Sequence, residues 1–258
     1  MAEEAKAVDI PQKIKPKEIK DFLKPRLNAR FKMWLNICAH CGLCADTCHY
    51  YRASGNDPKM VPAYKVRFIK DILRKKGKVD REYLQKVYDT VYYECNMCRR
   101  CTLYCPFGID IALLISLLRG LLFSQGMAPE GLLKAVENYI EFGNQMAVTK
   151  EDWVETIEWC EEEMAEELVG LKIPIDKKGA KIMYTVNARE PKFYPQDIME
   201  VSKIFHVAGE DWTVPSERGW DDTNLAMFCG DLKTARMIVE NTFKRAEELE
   251  VEQVAVTE

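Results

Sequence analysis

The sequence predicts a mostly helical domain followed by a smaller α/β module with a parallel sheet. Three observations carry this. Apolar residues recur at helical spacing through most of the first 170 residues. Strand-like and helix-like segments alternate after Gly170. Eight of the ten cysteines form two copies of one pattern, C-x2-C-x2-C-x3-C, each cysteine of the second copy lying 57 residues after its counterpart in the first.

Residues 1–30 are Lys-rich and broken by Pro11, Pro16 and Pro25, which reads as a solvated basic arm, with a docking segment as the other reading. The helical domain is expected over 31–170. Its first cysteine run is Cys38, Cys41, Cys44 and Cys48, and its second is Cys95, Cys98, Cys101 and Cys105. Between them Val61–Lys76 has Val66, Ile69, Ile72 and Leu73 at helical spacing, with Gly77 as a stop. Arg81–Tyr93 places Tyr83, Leu84, Val87, Tyr88 and Val91 along one face. Pro106 and Gly108 end the second run, and an apolar helix follows over Ile109–Phe123. Two more helices are expected near Glu130–Phe142 and Lys150–Val169. Pro174, Lys177, Lys178 and Gly179 read as a linker into the α/β module, expected over 171–258. There Ala180–Val186, Trp212–Val214, Leu225–Phe228 and Gln253–Thr257 read as strands, and Ile198–Ala208 and Asp231–Leu249 as helices. The last strand runs almost to Glu258, so the module is expected to be incomplete at its C-terminus.

The cysteine spacing is that of cubane [4Fe–4S] binding in bacterial ferredoxins. Each of the four irons needs one thiolate. Cysteines at i, i+3 and i+6 let one tight loop wrap three corners and turn backbone N–H groups toward the sulfurs. In two-cluster ferredoxins the fourth cysteine of each run serves the other cluster. This assigns Cys38, Cys41, Cys44 and Cys105 to one cluster, and Cys95, Cys98, Cys101 and Cys48 to the other. Zinc sites favour C-x2-C pairs joined by a longer spacer. A secreted disulfide framework fits poorly with the charged N-terminal stretch MAEEAKAVDIPQKIKPKEIK, which has no apolar core.

A net charge of −4 argues against nucleic acid as a partner. The most apolar stretch, Ile109–Phe123, is too short for a membrane span and carries Asp110 and Arg119. No phosphate loop or nucleophile elbow is present, which removes kinase and hydrolase readings. Reduced thiolate ligands suit the cytosolic side of a cell.

A helical two-cluster ferredoxin domain followed by an α/β domain resembles the D-type subunit of heterodisulfide reductases. It also resembles related iron–sulfur reductases, including the C subunit of anaerobic glycerol-3-phosphate dehydrogenase. The stretch KIMYTVNAREPKFYPQDIMEVSKIFHVAGEDWTVPSERGWDDTNLAMFCGD is similar to the first half of the family's cysteine-rich CCG module. Within the family the likeness is nearest to the DsrK branch, the catalytic-type subunits of the membrane complex associated with dissimilatory sulfite reduction. Two departures stand out: Phe228–Cys229–Gly230 occupies the place of Cys-Cys-Gly, and Cys48–His49 replaces the common Cys-Pro.

The resemblance implies an iron–sulfur electron-transfer subunit on the inner face of the cytoplasmic membrane. Its implied partners are a quinol-oxidising haem b subunit, cytochrome c and ferredoxin-type subunits, and a DsrC-like sulfur carrier whose disulfide or trisulfide is reduced. It further implies a third, noncubane [4Fe–4S] cluster in the full-length protein. A pure electron-transfer module and the iron–sulfur subunit of a flavin dehydrogenase are the alternatives. Cys229 is a weak candidate for a catalytic or cluster-ligating cysteine, against a plain buried hydrophobe. Cys160 reads as structural. His40 and His49 are candidates for hydrogen bonds to the first run, and Arg99 and Arg100 for charges that favour the reduced form of a cluster.

Overall fold

The computed structural model describes residues 15–165 and 167–257. Two compact units divide the chain: residues up to Glu130 together with Phe228–Asp231, and Gly131–Met227 together with the segment from Leu232.

The first unit is built around the helix Ile111–Ser124, whose sequence is apolar on every side. Such a helix is stable only when surrounded, and Leu114, Ile115, Leu118, Leu121 and Leu122 are buried to 1% exposure or less. Asp110 starts it by accepting a hydrogen bond from the Leu113 N–H at 3.0 Å. Around it pack the helices Pro16–Leu23, Pro62–Lys65, Arg81–Tyr88 and Arg100–Leu103. The helix expected over Val61–Lys76 is interrupted at Val66, giving Pro62–Lys65 and Arg67–Arg74. Arg81–Tyr88 runs into a π-helical turn, Asp89–Tyr93, which leads into the second cysteine run.

The solvated arm is corrected from residue 15 onward. Pro16 opens a helix, where its missing N–H costs nothing. That helix buries Ile19 and Leu23, and the turn beyond it Leu27, in the same core as Ile111–Ser124. Lysine content sets the character of the exposed face alone. Residues 1–14 of the expected arm lie outside the described residues.

In the second unit β1 (Ile182–Tyr184), β2 (Trp212–Thr213) and β3 (Gln253–Ala255) form a parallel sheet in the order β2-β1-β3. The helix Pro195–Ala208 connects β1 to β2, and the helix Leu232–Glu248 precedes β3. Alternate residues of β1 serve different faces. Met183 packs with Ala246 and Leu249, while Tyr184 packs with Ile198, Trp212 and Trp153.

Two further expectations change here. The division falls at Glu130–Gly131 and not near 170, because the helices Glu130–Phe142 and Lys150–Met164 belong with the sheet. Trp153, Ile157, Cys160 and Met164 join the core of Tyr184 and Val186, with Trp153 and Trp220 stacked at 4.5 Å. The strand expected over Leu225–Phe228 is instead a helix, Leu225–Cys229. The Asn224 side chain accepts from the Met227 N–H at 3.1 Å and so starts a helical turn, and the segment has no period-2 alternation to oppose it.

Candidate metal centre

The two cysteine runs adopt the same backbone. The second residue after the leading cysteine is left-handed in both, His40 at φ 55° and Met97 at φ 56°. The fourth is left-handed in both as well, Gly42 at φ 85° and Arg99 at φ 62°. Left-handed residues at such positions help turn neighbouring N–H groups into one concavity, the anion-binding geometry that Fe–S sites use. The Met97 N–H lies 3.4 Å from the Cys95 Sγ, as this geometry requires. A short helix lies inside each run, Leu43–Asp46 carrying Cys44 and Arg100–Leu103 carrying Cys101, and the two pack on each other. The fourth cysteine closes each helix, the Cys48 N–H donating to Ala45 O at 3.0 Å and the Cys105 N–H to Thr102 O at 3.3 Å.

This packing sorts the cysteines. A cavity of about 580 Å³ is lined by Cys38, Cys41, Cys44 and Cys105. A narrower one is lined by Cys48, Cys95, Cys98 and Cys101. Each thus draws three thiols from one run and the last from the other. All eight are free thiols; Cys41 and Cys98 are exposed and the rest half-buried. Among the described residues no three His, Cys, Asp or Glu side chains converge on one ion position. Two sets of four thiols, each with three from one run and one from the other, fit the four-thiolate need of two cubane clusters.

Burial pushes the Cys44 and Cys95 thiols up, and Cys101 up to about 12. Against the burial of Cys95 work the Met97 N–H, then the charges of Arg119 and Lys65. Uncoordinated, these sulfurs stay protonated at neutral pH, so loading iron must release protons.

The charges near the runs include those the sequence singles out, Arg99 and Arg100 on the lining of the second cavity, and two more that are buried. Arg99 is exposed and paired with Asp110 at 2.8 Å, and Arg100 is exposed. The buried cations are Arg119 and Lys65, at 3% and 2% exposure. Lys65 Nζ donates to the Glu94 carbonyl. Arg119 donates to the carbonyls of Val91 (2.7 Å), Cys95 (2.5 Å) and Phe228 (3.0 Å). Sequence reading passed over both as functional residues. The available signal was a lone arginine inside an otherwise apolar helix, which needs partners to be buried.

Cys229 is fully buried, lines neither cavity, and is pushed up to about 11 by burial. Its carbonyl accepts from Tyr92 OH at 2.7 Å. Gly230 follows at φ 94°, where a Cβ would sit 2.5 Å from the Arg119 carbonyl oxygen; only glycine fits. Cys160 is buried in the other unit's core. His40 and His49 are exposed, the latter against Tyr50.

Residues 34–109 match the 4Fe-4S dicluster domain family. The chain is 33% identical over 171 residues to the Hdr-like menaquinol oxidoreductase iron-sulfur subunit 2 of Archaeoglobus fulgidus, covering 61% of this chain and 31% of that protein. It is 28% identical over 172 residues to the Hdr-like menaquinol oxidoreductase iron-sulfur subunit of Archaeoglobus profundus, covering 61% and 30%. Over 109 residues it is 30% identical to the D subunit of the dihydromethanophenazine:CoB–CoM heterodisulfide reductase of Methanosarcina mazei, covering 38% and 26%. The chain therefore spans about a third or less of the length of these relatives. No solved structure matches it. Residues 34–109 thus form a dicluster domain that carries two [4Fe–4S] clusters, and over 61% of its length the chain is similar to Hdr-like iron–sulfur subunits.

Proposed function

We propose that the chain is an electron-transfer part of a membrane-associated, quinol-linked redox complex. In this reading Cys38, Cys41, Cys44 and Cys105 hold one cluster, and Cys95, Cys98, Cys101 and Cys48 the other. The observation that carries it is the pair of four-cysteine cavities, each made by both runs. The clusters supply one-electron exchange. The protein supplies the thiolates, the inward N–H groups and the close packing of Leu43–Asp46 on Arg100–Leu103 that keeps the two sites together. Among the described residues no helix is long and apolar enough to cross a membrane, and in this reading a partner subunit makes the link to the membrane.

Relatives named as menaquinol oxidoreductase and heterodisulfide reductase subunits support a path from a quinol to a disulfide-reducing site; in this reading a haem b subunit oxidises the quinol and the disulfide or trisulfide of a DsrC-like carrier is the substrate. The complex would sit on the inner face of the cytoplasmic membrane with cytochrome c and ferredoxin-type subunits, and the full-length protein would add a noncubane cluster. The presence of Phe228 where the family pattern has the first of two adjacent cysteines favours a second reading, in which this part only conducts and catalysis lies elsewhere.

Anaerobically purified complex tests both. Iron and acid-labile sulfide in equal amounts, with cluster reduction on adding a menaquinol analogue, is the expected result. Iron without sulfide, or a flavoprotein as the reductant in place of quinol, would overturn the quinol path. Reoxidation of the reduced clusters by a disulfide-bearing carrier separates the catalytic reading from the purely conducting one.

A further inference from the structure

The two cluster sites share a backbone but differ in buried charge. The cavity of Cys38, Cys41, Cys44 and Cys105 has Arg67 and Lys70 on its lining, both exposed. The Cys95 loop has two buried cations against it. Lys65 lines that cavity and donates to the carbonyl just before Cys95, and Arg119 donates to the carbonyl of Cys95 itself. The Arg119 guanidinium also reaches Phe228 O, while Tyr92 holds the carbonyl of Cys229. One planar group thus joins a ligand-bearing loop to the turn Phe228–Gly230, all within one compact unit.

A cubane with four thiolates is anionic, and reduction adds a further negative charge. A fixed positive charge nearby favours the reduced form. A charge acts about four times more strongly at an effective dielectric near 20 than in bulk water. Exposed Arg67 and Lys70 are therefore weak, and buried Arg119 and Lys65 strong.

We infer that Arg119, with Lys65, raises the reduction potential of the cluster at Cys48, Cys95, Cys98 and Cys101 and makes it the electron-accepting end of the pair, beside the Phe228–Gly230 turn. This rests on the two-cluster reading above. In the step concerned one electron leaves the site at Cys38, Cys41, Cys44 and Cys105 and one enters the other site. No bond breaks and no proton moves. Arg119 is a positioning residue: it acts on the second site through the Cys95 carbonyl and its own charge. The turn also approaches the backbone of Arg119 and Gly120 so closely that glycine is needed at 230.

Potentiometric titration of the cluster-loaded protein, followed by electron paramagnetic resonance, tests this. Cys41→Ser and Cys98→Ser variants assign the signals to the two sites. Arg119→Met is expected to shift the reduction equilibrium of the second cluster at least about tenfold toward the oxidised form, about 59 mV for one electron, and the first by less than about threefold. Arg119→Lys, which keeps the charge, is expected to recover most of the shift. Should Arg119→Met fail to load clusters, Lys65→Met carries the same expectation. Equal shifts at both clusters, a shift at the first alone, or no shift with both clusters present would overturn the assignment. A wild-type chain without two sulfide-containing clusters would overturn the two-cluster reading, and this is seen before any variant is made.

Discussion

The two cysteine loops are alike in backbone and unlike in almost everything around it. Both put left-handed residues at the same two positions, both continue into a one-turn helix, and both send their fourth cysteine to the other cavity. Yet one left-handed corner is Gly42 and the other Arg99. Both sites have exposed cations on their lining, and the second has two buried ones against it as well. The chemistry that wraps three corners of a cubane dictates dihedral angles and leaves the surrounding charge open. Two sites copied from one template can thus hold electrons at different potentials.

The exchange of fourth cysteines underlies this comparison, and breaking it should give the largest effect. Cys48→Ser removes a thiol from the site of Cys95, Cys98 and Cys101, though it lies in the first run. It is expected to lose about half the iron and sulfide and to leave the same residual spectrum as Cys98→Ser, since each run's last cysteine serves the other cluster. Cys105→Ser should match Cys41→Ser in the same way. Iron and sulfide analysis with electron paramagnetic resonance reads both. If Cys48→Ser instead matches Cys41→Ser, each run holds its own cluster and the buried charges at Arg119 and Lys65 must be reassigned.

Gly42→Ala comes next. A Cβ at Gly42 has nothing within 4 Å, so no clash interferes and the cost is one of backbone alone. Placing an L-residue in the left-handed region costs about 1–2 kcal/mol. The first site should lose its cluster faster on heating or chelation, and the second should be unaffected. The decay of the two signals in a chelator time course measures this. Equal loss from both sites would mean that the loops are strained together, through the packed helices Leu43–Asp46 and Arg100–Leu103.

Much of this was legible in the sequence because the signals were periodic. The cysteine spacing located the loops, and its repeat anticipated their shared backbone. The apolar run of Ile111–Ser124 announced a central helix. Amphipathic spacing placed Glu130–Phe142 on its residues but could not say which core it joins, since that depends on Trp153, Trp220 and Tyr184 meeting across long separations. The arm was misread because lysine count hides two buried apolar residues one turn apart, Ile19 and Leu23. Neither Lys65 nor Arg119 stands out as functional in the sequence, because burial of a cation is decided by the carbonyls offered to it. Those carbonyls, at Val91, Glu94, Cys95 and Phe228, carry no sequence signature.

The smallest expected effect asks what Arg99 gains by standing where the first loop has glycine. At φ 62° it bears the left-handed cost that Gly42 avoids. In return it forms an ion pair with Asp110, the residue that also caps Ile111–Ser124 and accepts from Thr102. An exposed pair contributes about 0–1 kcal/mol, so the two terms nearly cancel. Arg99→Gly is therefore expected to change thermal stability by less than about 1 kcal/mol, in the stabilising direction at high salt, where the lost pair matters least. The second cluster's potential should barely move, because the exposed guanidinium is already neutralised by Asp110. Thermal melts at low and high salt, with a redox titration alongside, decide it. A large fall in potential would mean that the exposed arginines of the loop, and not the buried ones behind it, distinguish the two sites.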